Sequence, residues 1–104
     1  MTAAVRIAWS DGLWTERGGE AAYLHDLMVS SAASGQGLGR FLIEHVDDQA
    51  KARGLSVVRL DCMESNAELV GYYERNGFVV VGRATEPYPH RGGWAWAALM
   101  EKAV

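Results

Sequence analysis

A chain of 104 residues, 49% hydrophobic and 22% charged, has the size of one domain and is too apolar to be disordered. Ten Lys and Arg against thirteen Asp and Glu leave a net charge of -3, which argues against non-specific nucleic-acid binding. The apolar runs fall far short of the ~18 residues that cross a bilayer, no signal-peptide layout is present, and the one cysteine, Cys62, excludes an internal disulfide and fits a reducing cytoplasm.

Residues 4–9 alternate Val5, Ile7 and Trp9 against Ala4, Arg6 and Ala8, the period of a strand. Residues 10–20, with three glycines and mixed charges, read as a long loop. A second strand runs from Ala22 to Val29, with Tyr23, His25, Leu27 and Val29 on one face and Leu24, Asp26 and Met28 on the other. Small residues and glycines from Ser30 to Gly39 then open a helix. Leu38, Phe41, Leu42, His45, Val46 and Ala50 trace its buried stripe, which makes His45 a core residue, while Glu44, Asp47, Asp48 and Lys51 face outward. Gly54 is the left-handed stop.

Leu55 to Cys62 forms the next strand. A second helix follows, capped by Ser65 with Glu68 or equally by Asn66, and stopped by Gly77. Phe78 to Arg83 is a short strand, Thr85 to Gly93 a loop with two prolines, and Trp94 to Lys102 the last strand. The order β-β-α-β-α-β-β predicts an α/β domain over residues 1–104: a mixed sheet of about five strands with two helices.

The stretch Ser34-Gly35-Gln36-Gly37-Leu38-Gly39 is the most informative. It joins a strand to an amphipathic helix, where glycines allow close backbone approach. First-turn N–H groups and the helix dipole favour an anion there, and Arg40 adds a charge. The stretch is neither a Walker loop, which ends in Gly-Lys-Ser/Thr, nor the dinucleotide fingerprint, whose third glycine comes one residue later. Taken alone, it serves equally as an anion cradle or as a plain tight turn.

Two other blocks accompany it: L-H-D-L-M-V, ending at Val29, and N-A-E-L-V-G-Y-Y-E-R-N-G-F, from Asn66 to Phe78. In this order and spacing the three resemble the GCN5-related N-acetyltransferases over residues 4–103. The family's phosphate loop, Gln/Arg-x-x-G-x-G/A, maps onto Ser34, Gly37 and Gly39, with serine at the leading position. The resemblance implies an acyl-CoA N-acyltransferase-like fold lacking its usual first strand, two helices and second strand. It also implies that acetyl-coenzyme A lies between the strands 22–29 and 55–62. The backbone of Leu27, Met28 and Val29 would pair with the pantetheine arm. The amides of Gln36, Gly37, Leu38, Gly39 and Arg40 would cradle the pyrophosphate, and Asn66 would bond the arm from the opposite wall.

The implied reaction is direct attack of a neutral amine on the thioester, which needs a base, an oxyanion donor and an acid for the departing sulfur. Tyr73 occupies the family's acid position, with Tyr72 beside it as packing. Tyr23 falls where the family often has a glutamate, so the base is either His25, in an L-H-x-L-x-V setting shared with arylalkylamine members, or ordered water. A structural histidine inside the sheet is the competing role for His25. Asp26 is a weaker candidate base, and His90 and Arg91 lie in a loop that often touches the acceptor. No metal is expected, since neither two histidines nor Cys62 with a histidine have ligand spacing. Cys62 reads as a buried thiol. The shortened front predicts a bare first strand and uncovered surface at Trp9, Trp14, Trp94 and Trp96, closed by a homodimer. The partners implied are acetyl-CoA and an amine acceptor, small molecule or protein. A non-catalytic acyl-CoA-binding module of the same fold is the alternative.

Overall fold

Strand β1 (Ala3–Ala8) leads through a 3₁₀ turn (Gly12–Trp14) into β2 (Ala22–Val29). Helix α1 (Leu38–Ala52) crosses over to β3 (Val57–Met63), and helix α2 (Ala67–Arg75) precedes β4 (Val79–Arg83). A short hairpin, β5 (Tyr88–His90) and β6 (Gly93–Ala95), comes before β7 (Ala97–Ala103). These elements belong to a computed structural model that describes residues 3–14, 19–29, 37–84, 88–90 and 93–104.

Five strands pair in the order β1-β2-β3-β7-β4. Only β2 and β3 run parallel; the other pairs are antiparallel. A parallel pair needs a crossover, and α1 supplies it. The predicted α/β architecture of five main strands and two helices is therefore present. The region read as a loop from Thr85 to Gly93 holds β5, and the last predicted strand is broken at Trp96 into β6 and β7. Pro89 signalled a breaker, yet it is tolerated because β5 pairs on one side only, with β6.

One core lies between the sheet and both helices, built on Leu24, Ile43, Val46, Val58, Leu60, Tyr73, Phe78 and Met100. Burying a side chain such as Ile43 or Leu60 contributes about 1.5–3 kcal/mol. A smaller cluster of Trp14, Ala21, Tyr23 and Leu99 covers the far face. Trp14, expected to be uncovered, is 2% exposed because the 3₁₀ turn folds it onto Tyr23. Trp9 does stay exposed, with the Arg53 guanidinium 3.8 Å above its ring. Trp96 is half-buried, and the Trp94 side chain lies outside what is described.

Arg59 also points to the far face and is buried there. It donates to Glu101 Oε2 at 2.9 Å and to the Tyr23 hydroxyl at 3.1 Å, and stacks 4.8 Å from the Trp14 ring. Its charge is thereby paired and hydrogen-bonded, which makes its burial tolerable.

The buried face of α1 is turned from the predicted stripe. Gly39, Ile43, Val46, Asp47 and Ala50 are buried. Phe41, assigned to the core by spacing, is 64% exposed, and His45 is exposed rather than a core residue. The pattern misled because Asp47 counts as polar but is neutralised in place. Lys102 Nζ on β7 lies 2.6 Å from Asp47 Oδ2, so the carboxylate turns inward. The second oxygen, Oδ1, is buried without a hydrogen-bond partner among the described residues.

Lys102→Met should therefore cost on the order of 2 kcal/mol, since it strands a largely buried carboxylate that keeps some solvent contact. Replacing both partners, Asp47→Leu with Lys102→Met, should recover most of the loss in denaturant unfolding. A double variant no more stable than Lys102→Met would contradict this account.

Candidate active site

The strand β2 contains an extra residue. Ala4 faces Met28 but Arg6 faces His25, so Val5 alone stands against Asp26 and Leu27. Such a bulge bends its strand and switches which side the following residues face. Leu27 accordingly packs against the helix-side core with Leu24, not on the face of Tyr23 and His25 as strict alternation predicted.

Strands β2 and β3 pair at Ala22↔Val58 and Tyr23↔Arg59, with no further pair among the described residues. Beyond Tyr23 the two strands diverge. Residues Leu27, Met28 and Val29 lie on the far side of that last rung. Their backbone belongs to β2, with Met28 and Val29 paired to β1 on one edge; the other edge borders the gap.

Helix α1 begins at the same end of the sheet, because a crossover helix starts where the first parallel strand finishes. Its N-cap is Gly37, at φ 74° and ψ 10°, and no side chain among the described residues caps it. That left-handed conformation suits glycine and strains residues with a Cβ. The helical ladder starts with Phe41 N–H donating to the Gly37 carbonyl at 3.0 Å. The first-turn N–H groups of Leu38, Gly39 and Arg40 precede that bond and are oriented outward, as helix geometry requires. Arg40 is exposed and meets Glu44 at 3.3 Å, a weak surface pair. Gln36, Ser34, Gly35 and Arg91 lie outside the described residues, as does the side chain of His90.

Across the gap, Asn66 caps α2: its Oδ1 accepts from Leu69 N–H at 3.1 Å. Of the two caps the sequence allowed, the asparagine is the one used. The cap engages only Oδ1 and leaves both Nδ2 hydrogens outside it. Asn66, Glu68, Leu69, Tyr72 and Arg75 line a cavity of ≈ 340 Å³ on this helix.

Tyr73 of α2 points into the helix-side core. It is edge-on to Tyr72 at 5.5 Å and to Phe78 at 5.7 Å. Burial pushes its hydroxyl up to about 12, with Cys62, Tyr72 and Asp61 adding to the shift. It therefore keeps its proton through the neutral range. Cys62 is buried with its Sγ 3.9 Å from Met100 Sδ, and burial followed by the charge of Asp61 pushes its thiol up. This is the setting of an inert thiol, as the sequence suggested.

On the opposite face, His25 Nε2 lies 3.1 Å from Asp11 Oδ2. Asp61 on β3 completes a trio whose ligating atoms lie within 4.8 Å of one another. The 3.1 Å contact puts Nε2 within hydrogen-bond distance of the Asp11 carboxylate. No motif marks Asp11 or Asp61, which reach His25 from a turn and from a neighbouring strand.

The chain as a whole is similar to known proteins. The chain belongs to the acetyltransferase (GNAT) family, whose model matches residues 2–78. The [ribosomal protein bS18]-alanine N-acetyltransferase of Escherichia coli is 33% identical over 81 residues, covering 78% of this chain and 55% of that protein. The crystal structure of the Escherichia coli ribosomal-protein-S18-alanine N-acetyltransferase superposes with a TM-score of 0.75 at 28% identity, over 100% of this chain and 62% of the other. A GNAT family acetyltransferase from Elizabethkingia anophelis, crystallised with acetyl-CoA bound, matches in fold with a TM-score of 0.75 at 16% identity, over 100% of this chain and 69% of that one. The chain spans about half the length of the curated relatives it matches.

The carboxyl of Asp61 is held above the ordinary carboxylate range, first by burial and then by the charge of Asp11, against the opposing pull of His25. The folded chain thus holds this proton more tightly than the unfolded chain does. Stability declines as pH rises through the raised value. Asp61→Asn removes that penalty, so its melting midpoint should exceed the wild type by a few degrees at pH 7, and the gain should vanish near pH 3, where both states are protonated. An equal gain at both pH values would show that the effect is not ionic.

Proposed function

We propose that this chain is an acetyl-CoA-dependent N-acetyltransferase acting on a primary amine. The observation that carries the reading is the divergence of β2 from β3 after two rungs, beside the uncapped N-terminus of α1. An open strand edge can hydrogen-bond an extended amide-bearing arm, and an uncapped helix start can hold the pyrophosphate attached to it. The edge is that of Leu27, Met28 and Val29. The donors are the amides of Gly37, Leu38, Gly39 and Arg40, with Gln36 as an added donor from the sequence motif. Asn66 would offer Nδ2 to the arm from the other wall.

His25 and Tyr73 stand on opposite faces of the sheet at this gap. A thioester threaded between the strands would meet the two from either side. His25 would take the ammonium proton so that the neutral amine can attack, and Tyr73, in the acid position, would donate a hydrogen bond to the departing sulfur. Pushed up to about 12, the Tyr73 hydroxyl stays protonated and available as that donor. A thiolate is a weaker base than this phenolate, so the sulfur leaves with its charge stabilised by the hydrogen bond and takes its proton from solvent. The acceptor is an amine of a small molecule or of a protein.

We further assign the chain to the cytoplasm, in keeping with its lone buried thiol. A two-fold dimer would cover the apolar surface at Val79 and Val80 on the edge strand β4. A strictly monomeric mass in sedimentation at micromolar concentration would refute the dimer.

Acetyl-CoA at one hundred times its dissociation constant should stabilise the chain by about 2.7 kcal/mol and raise the melting midpoint by about 10 °C. Tyr73→Phe should lower kcat about a hundredfold while leaving acetyl-CoA affinity within twofold of wild type. No thermal shift would sink the proposed activity, and wild-type turnover in Tyr73→Phe would remove the tyrosine from it.

A further inference from the structure

We propose that Asp11 is a positioning residue for His25: it fixes the imidazole so that Nδ1 carries the lone pair that receives the acceptor's proton. The inference rests on the acetyltransferase reading above and extends it to a residue outside the family motifs. Its basis is geometric. Asp11 sits just ahead of the 3₁₀ turn Gly12–Trp14, and that turn is anchored by Trp14, which is 2% exposed. Trp14 N–H donates to the Asp11 carbonyl at 3.1 Å, which ties the carboxylate's backbone to the anchored side chain. The carboxylate is consequently held at a set place over β2, with its Oδ2 3.1 Å from His25 Nε2. Both side chains are largely shielded, 21% exposed for His25 and 11% for Asp11, so the contact is less screened than one at the surface.

An imidazole that donates Nε2–H to a carboxylate has its acceptor lone pair on Nδ1. When the acceptor ammonium loses its proton, the N–H bond breaks and its electron pair stays on the amine nitrogen. The proton forms a new bond at Nδ1. The resulting imidazolium keeps its Nε2 hydrogen bond to Asp11, which remains a carboxylate throughout and accepts no proton. The proton on Nδ1 then passes to solvent.

Several charged or titratable groups face His25. Asp11 approaches from the turn and Asp61 from β3. Arg6 is its direct partner on β1, and Tyr23 and Arg59 form the rung before it on β2 and β3. Tyr23 and Arg59 are bonded to each other at 3.1 Å. Asp61 is raised by burial and by the charge of Asp11.

The test uses the full chain as wild type, Asp11→Asn, Asp11→Glu, His25→Gln and the Asp11→Asn/His25→Gln double variant. Melting midpoint and acetyl-CoA affinity report folding and cofactor binding. The NMR shifts of the imidazole nitrogens, assigned with His25→Gln, report which of them carries the proton. Asp11→Asn should keep wild-type acetyl-CoA affinity and lower kcat about tenfold. Wild type should show Nε2–H with a bare Nδ1, and Asp11→Asn a mixture of the two tautomers. Asp11→Glu should restore most of both. In the His25→Gln background, Asp11→Asn should change kcat less than twofold.

An unchanged His25 tautomer in Asp11→Asn would overturn the proposal, as would the same tenfold loss in both backgrounds. Wild-type protein that binds no acetyl-CoA would instead remove the acetyltransferase reading and, with it, the role given to Asp11, whatever the imidazole does.

Discussion

After the rungs at Ala22↔Val58 and Tyr23↔Arg59, parallel pairing between β2 and β3 stops, and the site depends on that interruption. A continuous sheet would bury its edge amides in hydrogen bonds and leave nothing to offer an extended ligand. The bulge at Asp26 and Leu27 follows this point, while the other edge of β2 stays paired to β1. It turns Leu27 into the helix-side core, where hydrophobic packing holds the strand. The crossover helix brings its first-turn amide groups to the same end of the sheet. Two kinds of main-chain donor thus meet there.

Much of this was legible in the residues. The strand alternation of 4–9, the glycines before α1, the Asn66 cap and the Gly54 and Gly77 stops all appear where local chemistry places them, with φ 74° and 95° at the two stops. These signals act over a few residues and survive into the fold. The orientation of α1 was not legible, because it is decided by Lys102, fifty-five positions from Asp47. A pattern that counts Asp47 as polar cannot see its counter-ion. The bulge was hidden for a similar reason: it exists only in the register between two strands. Trp14 was misjudged because its cover comes from Tyr23 and Arg59, brought close by a turn.

The same limit applied to the acid–base groups. His25 and Tyr73 stood out because they fall in recognisable blocks, whereas Asp11 and Asp61 come from a loop and a mid-strand position without a motif. Their closeness to His25 is a tertiary fact. The two ionisable faces differ in kind. Tyr73 is set among aromatic rings and a thiol, where burial keeps it neutral. His25 is set beside the carboxyl groups of Asp11 and Asp61. A sheet one residue thick separates these two environments.

Arg59 has a mechanical implication. It occupies the last hydrogen-bonded rung, and its guanidinium is bolted to Tyr23 on one neighbouring strand and Glu101 on the other. The crotch of the divergence is therefore pinned across three strands. Thermal breathing of the cleft is confined to swinging about this fixed pivot, and an entering ligand can spread the arms without unzipping the sheet behind them.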